Sequence, residues 1–453
     1  MSKKNSIEKI RSYCCQCISA CPVTASVKDG RFVNVKPDVE HPLTTSLCPK
    51  GIAGPELVYN SQRLQYPVRR TNPKIASDPG WERISWDEAL DTIASKLKDT
   101  KDRWGPETVA FARSGFAGSQ AFEMSPWILR LAHAFGTPNN IGTTHICQWH
   151  RDNCSSYTFG KPNSIGIEGT IESEKTGCML IWGNNASVTY PRMFSSIRKG
   201  LEQGAKLLVI DPRRTRIAGM ADLWLQVRPG TDGALALSII NVLMEENLFD
   251  CEFVRDWTTA PFLVRSDNGE FLRPSDLSNG EDPLSYVMVD SANQNLMTFK
   301  PGSRPNLGPA LSSSISAKLV TGNEVTCNTA FKLLSKIVSK YSPRRAEEIT
   351  WVPEGKIRDA AKLLTTNKPV SFCSWNGIEQ NTYASQTNRA ICILYALTGD
   401  YDNPGGNLIL PRLPINSVNG REFLSPEVER KRLGFLERPL GPAGVSGSIQ
   451  GPG

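Results

Sequence analysis

Residues 178–185 read CMLIWGNN, and residues 207–212 read LLVIDP. Both runs are short, apolar at successive positions, and stop abruptly at polar residues. A strand with one wet face alternates apolar and polar residues. One that is apolar throughout has both faces covered, as in a parallel sheet flanked by helices. The ends carry a second message, because ligands in open α/β sheets collect just beyond the carboxyl ends of the strands. The pattern predicts buried parallel strands whose ends, Gly183-Asn184-Asn185 and Asp211-Pro212, meet a ligand.

Helices and strands alternate outward from this centre. Ser85 and Glu88 have capping-box spacing, and Trp86, Ala89, Leu90, Ile93, Ala94 and Leu97 then follow a 3.6-residue stripe. That helix is expected to end near Gly105-Pro106, with a strand over 109–112. A helix is expected over 233–246, helical stretches near 330–340 and 356–364, a strand over 370–374 running into Asn376-Gly377, and a helix over 388–397 ending at Gly399. Residues 260–330, rich in Ser, Asn, Pro and Gly, read as an irregular insertion. The first 65 residues are Cys-, Pro- and turn-rich, as expected where a metal organises the chain. The last 13 residues, GPAGVSGSIQGPG, hold five Gly and two Pro; they read as a break within a loop and make 416–453 an incomplete tail.

With 453 residues, 39% hydrophobic and 21% charged, the chain has the composition of a globular protein of several domains. A net charge of +7 without a long Lys/Arg run does not point to nucleic acid; the densest basic patch is Arg213, Arg214 and Arg216. No signal-peptide pattern and no apolar run of membrane-spanning length is seen, so a cytoplasmic location is expected.

The chain has 12 cysteines, four of them within residues 14–21. Clustered cysteines in a large chain with no secretory signal point to metal ligation before disulfides. Cys14, Cys17, Cys21 and Cys48 form C-x2-C-x3-C-x26-C, three thiolates from a tight loop and one from a distant turn, which suits a [4Fe–4S] cluster with one Cys per iron. Zinc is the competing reading, since C-x2-C also serves zinc and His41 lies nearby. Against it, no second C-x2-C follows Cys48, where Gly51 takes the partner position. Cys15 reads as a bystander.

The run 14–21 followed by LCPKGIAGPELVYNSQRLQYPVRR (47–70) resembles the opening of the DMSO reductase family of molybdopterin enzymes. The resemblance implies a molybdenum or tungsten bis(molybdopterin guanine dinucleotide) cofactor beside the [4Fe–4S] cluster. It also implies an electron-transfer role for Lys50, two residues past the last cluster cysteine. Gly183 and Asn185 match the family's G-x-N turn. Asp211, Pro212, Arg213 and Thr215 match its I-D-P-R-x-T segment, and Gly230 and Asp232 its R-P-G-T-D segment. Asn376, Gly377 and Gln380, with Gly405 and Gly406, resemble the segment that holds the other pterin. Phosphate donors, an acidic group for ribose or guanine, and glycines for close backbone approach are what such a ligand needs.

The resemblance also implies a protein ligand to the metal in 142–160, GTTHICQWHRDNCSSYTFG. Cys147 has Phe159-Gly160 at the family's offset and is taken as the ligand, with Cys154 as the alternative. A soft thiolate suits this metal. His145, Trp149, His150 and Arg151 surround it: His150 as a proton carrier and Arg151 as an anion holder, each with packing as its competing explanation. Gln148 stands where formate dehydrogenases carry His and nitrate reductases tend to carry Met, and Ile18 where acetylene hydratase carries Asp.

The implied activity is two-electron oxidoreduction of a small substrate, by oxygen-atom or proton-coupled hydride transfer. Electrons would leave through the cluster to an iron–sulfur partner subunit. Non-redox hydration or transhydroxylation, or a cofactor-deficient electron relay, are the alternatives. The implied fold is a small cluster domain (1–65) plus two Rossmann-like α/β domains with parallel sheets, one discontinuous (66–140 with 346–415) and one over 141–345.

Overall fold

The computed structural model describes residues 6–17, 19–41, 46–112, 120–142, 147–160, 172, 174–303, 308–409 and 418–430. The chain divides into two compact units, Met1–Ile146 with Val188–Ser195 and Pro411–Gly453, and Cys147–Ser187 with Ser196–Leu410.

The first unit opens with a three-stranded antiparallel sheet, Glu8–Tyr13, Pro22–Lys28 and Arg31–Pro37. Asp29 and Gly30, both at positive φ, make the tight turn between its second and third strands, the conformation a two-residue hairpin favours. Tyr13 pairs with Pro22, so the loop carrying Cys14, Cys17 and Cys21 closes the first hairpin. The helix Trp86–Trp104 starts as the sequence predicts: Ser85 Oγ accepts from the Glu88 N–H at 3.1 Å. It stops at Gly105, at φ +86°. Its apolar stripe is not buried, however: Trp86 is 62%, Leu90 58% and Ile93 56% exposed. Phe111–Ala112 and Asn140–Ile141 form a short parallel pair, the first lying within the stretch expected to be a strand.

The second unit is built on a four-stranded parallel sheet in the order Leu223–Leu225, Lys206–Ile210, Cys178–Trp182, Val370–Ser374. The two runs that opened the reading are its central strands. They are buried because helices, among them Asp232–Glu245, Glu354–Thr366 and Ala384–Thr398, supply the core around Leu180, Leu208, Ile239, Ile357, Phe372 and Tyr395. The register is level, with Leu225 opposite Ile210, Ile210 opposite Trp182, and Trp182 opposite Ser374. All four strands therefore end along one edge.

Two sequence expectations change. Val370–Ser374 pairs with Cys178–Trp182, so residues 346–410 share a sheet and a compact unit with the region expected to be the separate 141–345 domain, and do not join 66–140. Sequence separation hid this, since parallel neighbours need not be adjacent in the chain. Residues 260–330 are not irregular either. Leu263–Arg265, Glu324–Thr329 and Ser314–Lys318 form an antiparallel sheet, and Tyr286–Val289 pairs with Leu296–Phe299. This region has its own core of Leu263, Leu272, Val287, Val289, Ala317, Val325 and Cys327. The alternation in SISAK and EVTCNT was a period-2 signal diluted by turn residues. Among the described residues no helix is long and apolar enough to cross a membrane.

Candidate cluster and cofactor sites

The cysteine loop is closed by its own backbone: the Cys14 N–H donates to the Cys21 carbonyl at 2.8 Å. Ala20 takes φ +43° to complete the turn. Cys48 leads into a helical turn, Pro49–Ile52, which packs against the loop so closely that a Cβ on Gly51 would lie 3.3 Å from Cys14 Sγ. Burial pushes the thiols of Cys14 and Cys21 up, and the Cys17 and Cys48 thiols act on both in the same direction. The four predicted ligands are thus near neighbours. Among the described residues no three His, Cys, Asp or Glu side chains converge closely enough to hold a single metal ion. A cubane, with one thiolate per iron, needs its ligands around a volume and not at a point. Cys15 and Lys50 are exposed.

The level edge of the parallel sheet is the second site. The chain runs from Cys178–Trp182 outward through two strands on one side, then returns to add Val370–Ser374 on the other. The gap between Cys178–Trp182 and Val370–Ser374 is therefore a topological switch point, where α/β sheets bind ligands. Two backbones nearly touch there. The Gly377 N–H donates to the Gly183 carbonyl at 3.0 Å, and a Cβ on Gly377 would fall 2.7 Å from Gly183 Cα. Gly183 itself sits at φ +60°. Beside them Ser374 Oγ and Asn376 Oδ1 are buried with no hydrogen-bond partner among the described residues. Buried polar atoms left in this way fit a ligand that supplies the missing bonds. Asn185 accepts from Ser187 Oγ at 2.8 Å, and Gln380 is exposed.

Further along the same edge, Asp211 is nearly buried. Its Oδ1 accepts from the Arg213 N–H at 2.8 Å, and burial holds its carboxyl above the usual range. Pro212, Arg213 and Gly230 are exposed, whereas Thr215 is buried and turns the chain by accepting from the Ala218 N–H. Asp232 is buried and takes the Trp182 indole N–H at 2.9 Å, a core contact the sequence did not suggest. A cavity of 410 Å³ on this flank is lined by Pro212, Gln226, Val227, Pro229, Trp351, Pro353 and Lys356.

Gly405 and Gly406 are not at this edge. A Cβ on Gly405 would meet the Lys175 carbonyl at 2.6 Å and Pro369 Cγ at 2.9 Å, and both of those residues precede the sheet strands. One on Gly406 would lie 2.1 Å from the Asp400 carbonyl. These glycines serve a packed turn near the strand starts, away from Asn376 and Gly377.

Cys147 is half-buried and stands just before Gln148, the N-cap of the helix Trp149–Phe159. His145 lies outside the described residues. Cys154, the alternative ligand, is buried inside that helix; its Sγ donates to the Ser385 carbonyl at 3.1 Å, and burial pushes its thiol up to about 12. The His150 ring is within 2.8 Å of Ser385 Oγ. Arg151 is fully buried, its guanidinium 4.3 Å from the Trp375 ring centre and 3.5 Å from the Ser374 carbonyl. Sequence reasoning quoted Glu379 only within a matching segment and gave it no role. Its carboxylate is 2% exposed and accepts from the His150 and Arg151 N–H groups at 3.1 Å each. Burial pushes it up from 4.5 to about 7, against the Arg151 charge and the two N–H donors. No local pattern announces a carboxylate that caps a helix more than 200 residues away.

A family model described as molybdopterin oxidoreductase matches residues 63–421, and one described as molybdopterin oxidoreductase Fe4S4 domain matches residues 7–60. The dopamine dehydroxylase of Eggerthella lenta is 27% identical over 93% of this chain and 50% of its own. The perchlorate reductase subunit alpha of Dechloromonas aromatica is 27% identical over 86% of this chain and 45% of its own. The solved acetylene hydratase from Pelobacter acetylenicus superposes with a TM-score of 0.67 at 26% identity, covering 94% of this chain and 49% of that one. The chain spans about half the length of these relatives.

Proposed function

This chain belongs to the molybdopterin oxidoreductase family, with its molybdenum- or tungsten-pterin cofactor and [4Fe–4S] cluster, and on that premise we propose that it supplies the cluster and metal-binding parts of a two-electron oxidoreductase acting on a small substrate. The observation that carries this reading is the switch-point crevice, where Gly183 meets Gly377 beside the unpartnered Ser374 and Asn376. Cys14, Cys17, Cys21 and Cys48 hold the cluster. Cys147 is the protein ligand to the metal. Cys154, with its proton held by burial and engaged with Ser385, is poorly suited to that task.

Gly183, Asn185, Asn376, Gly377 and Gln380 line the pterin side. Asp211, Pro212, Arg213, Thr215, Gly230 and Asp232 lie toward a guanine dinucleotide, with the exposed Arg213 available to phosphate. When bound, the metal–pterin group supplies the two-electron chemistry and the cluster a one-electron outlet. The chain's own residues orient and exclude. His150, held on Ser385, can carry a proton near neutral pH. Arg151 balances Glu379 in the interior, and Lys50 stands on the turn after the last cluster cysteine as the electron-transfer residue. An iron–sulfur subunit would accept or deliver the electrons. The likeness to acetylene hydratase favours one competing reading, hydration with no net electron transfer.

The test is elemental analysis of anaerobically purified protein together with GMP released by acid hydrolysis. About four iron per chain with molybdenum or tungsten and GMP is expected. C147S is expected to lose the metal and keep the iron. Zinc in place of iron, or undiminished molybdenum or tungsten in C147S, would overturn the assignments. Substrate turnover without dye reduction or oxidation would favour hydration.

A further inference from the structure

We propose that Glu379 is the positioning residue for Cys147, clamping from across the sheet the helix start on which that cysteine is carried. This rests on the reading of Cys147 as metal ligand. An α-helix begins with N–H groups that have no partner within it, and a neighbouring Ser, Thr, Asp or Asn commonly fills that need. The helix Trp149–Phe159 has no such neighbour, and its N-cap, Gln148, makes no side-chain capping bond. Glu379 takes the place of the missing cap. One carboxylate oxygen accepts from the His150 N–H and the other from the Arg151 N–H, each at 3.1 Å.

Two bonds from one rigid carboxylate to consecutive amides fix both the position and the rotation of the first turn. Cys147 lies two residues before that turn, so its backbone follows. The other contacts to this helix, Cys154 Sγ to the Ser385 carbonyl and the His150 ring to Ser385 Oγ, reach toward the body of the fold and leave the leading amides to Glu379.

Glu379 ends the short helix Asn376–Glu379. That helix begins with Asn376 and Gly377, whose backbone meets Gly183. One turn of chain therefore holds the crevice at one end and the Cys147 loop at the other, so a shift at Gly377 is transmitted to the metal ligand. The carboxylate cannot be replaced by solvent, being 2% exposed, and it faces the fully buried Arg151.

The experiment uses the full chain expressed without molybdate or tungstate. It compares E379Q, E379A and a control, T350V, which disturbs a buried hydroxyl bonded to Ala346 elsewhere in the same unit. Two quantities are read. One is the iodoacetamide alkylation rate of Cys147, resolved by mass spectrometry against the exposed Cys251 as internal reference. The other is hydrogen-exchange protection of the His150 and Arg151 amides. E379A is expected to speed Cys147 alkylation relative to Cys251 on the order of tenfold, the equilibrium equivalent of losing one charge-assisted hydrogen bond, and to strip both amides of protection. E379Q, with one acceptor left, should fall between. T350V should lower the melting temperature and leave both quantities unchanged.

Unchanged rates and protection in E379Q and E379A, or a T350V effect as large as that of E379A, would overturn the proposal. If E379A does not fold, an E379Q chain indistinguishable from the parent does the same. Metal retained by C147S would remove the ligand reading and leave these metal-free results standing, so the two failures are separable.

Discussion

The loop of Cys14, Cys17 and Cys21 and the loop of Cys147 each present cysteine at a turn, and they are held by contacts of opposite kinds. The first is closed by a bond between its own ends, Cys14 N–H to Cys21 carbonyl at 2.8 Å, and is packed by a turn that begins at Cys48. The second has no local closure among its described residues and depends on Glu379, with |i−j| of 229 and 228 to the two amides it caps. A site written locally survives as a spacing pattern in the chain. One written across a sheet becomes visible only when the strands are paired. The two should also fail differently, the first with its metal and the second with its packing.

The largest effect is expected from removing a cluster ligand. C48S should bring iron well below the parent's content, because three thiolates cannot satisfy a cubane that takes one per iron. Residues 7–60 should lose hydrogen-exchange protection along with it, since their short exposed strands bury little besides Val23 and Val35. The strands Cys178–Trp182 and Lys206–Ile210 should stay protected. Loss of protection in both regions would break the comparison by showing that the sheet also depends on the cluster.

Next comes the packed side. G377A would set a Cβ 2.7 Å from Gly183 Cα and 2.8 Å from its carbonyl oxygen, both backbone atoms that cannot rotate away. Overpacking of this kind costs roughly 1–3 kcal/mol, to be read by chemical denaturation of the second unit's helical signal. GMP content should fall while iron stays at the parent value. A G377A chain with parental stability and parental GMP would remove the close approach from the argument for the crevice.

The same division explains how much was legible. The strands 178–182 and 370–374, the capping box at Ser85 and the cysteine spacing are properties of short windows, and each stands where the sequence put it. What failed to show were pairings. The union of Val370–Ser374 with Cys178–Trp182, the antiparallel sheet inside 260–330, the separation of Gly405 and Gly406 from Gly377, and the reach of Glu379 all join residues distant in the chain. Asp232 shows the middle case: its motif marked it as a ligand residue, and only packing revealed its bond to the Trp182 indole.

The smallest effect sharpens the comparison by isolating local writing from any site. Ser85 caps the helix Trp86–Trp104 through one bond to the Glu88 N–H, at 3.1 Å, on a helix with no buried residue. S85A should cost about 1 kcal/mol, the usual value of such a cap, and fray the first turn, seen as faster exchange at the amides of residues 86–88. Because the helix buries so little, the loss has few contacts through which to spread, and iron and GMP should both stay at parental levels. If either fell, a local signal would be coupled to a distant site, and the line between the two kinds of writing would have to be redrawn around the exposed stripe of Trp86, Leu90 and Ile93.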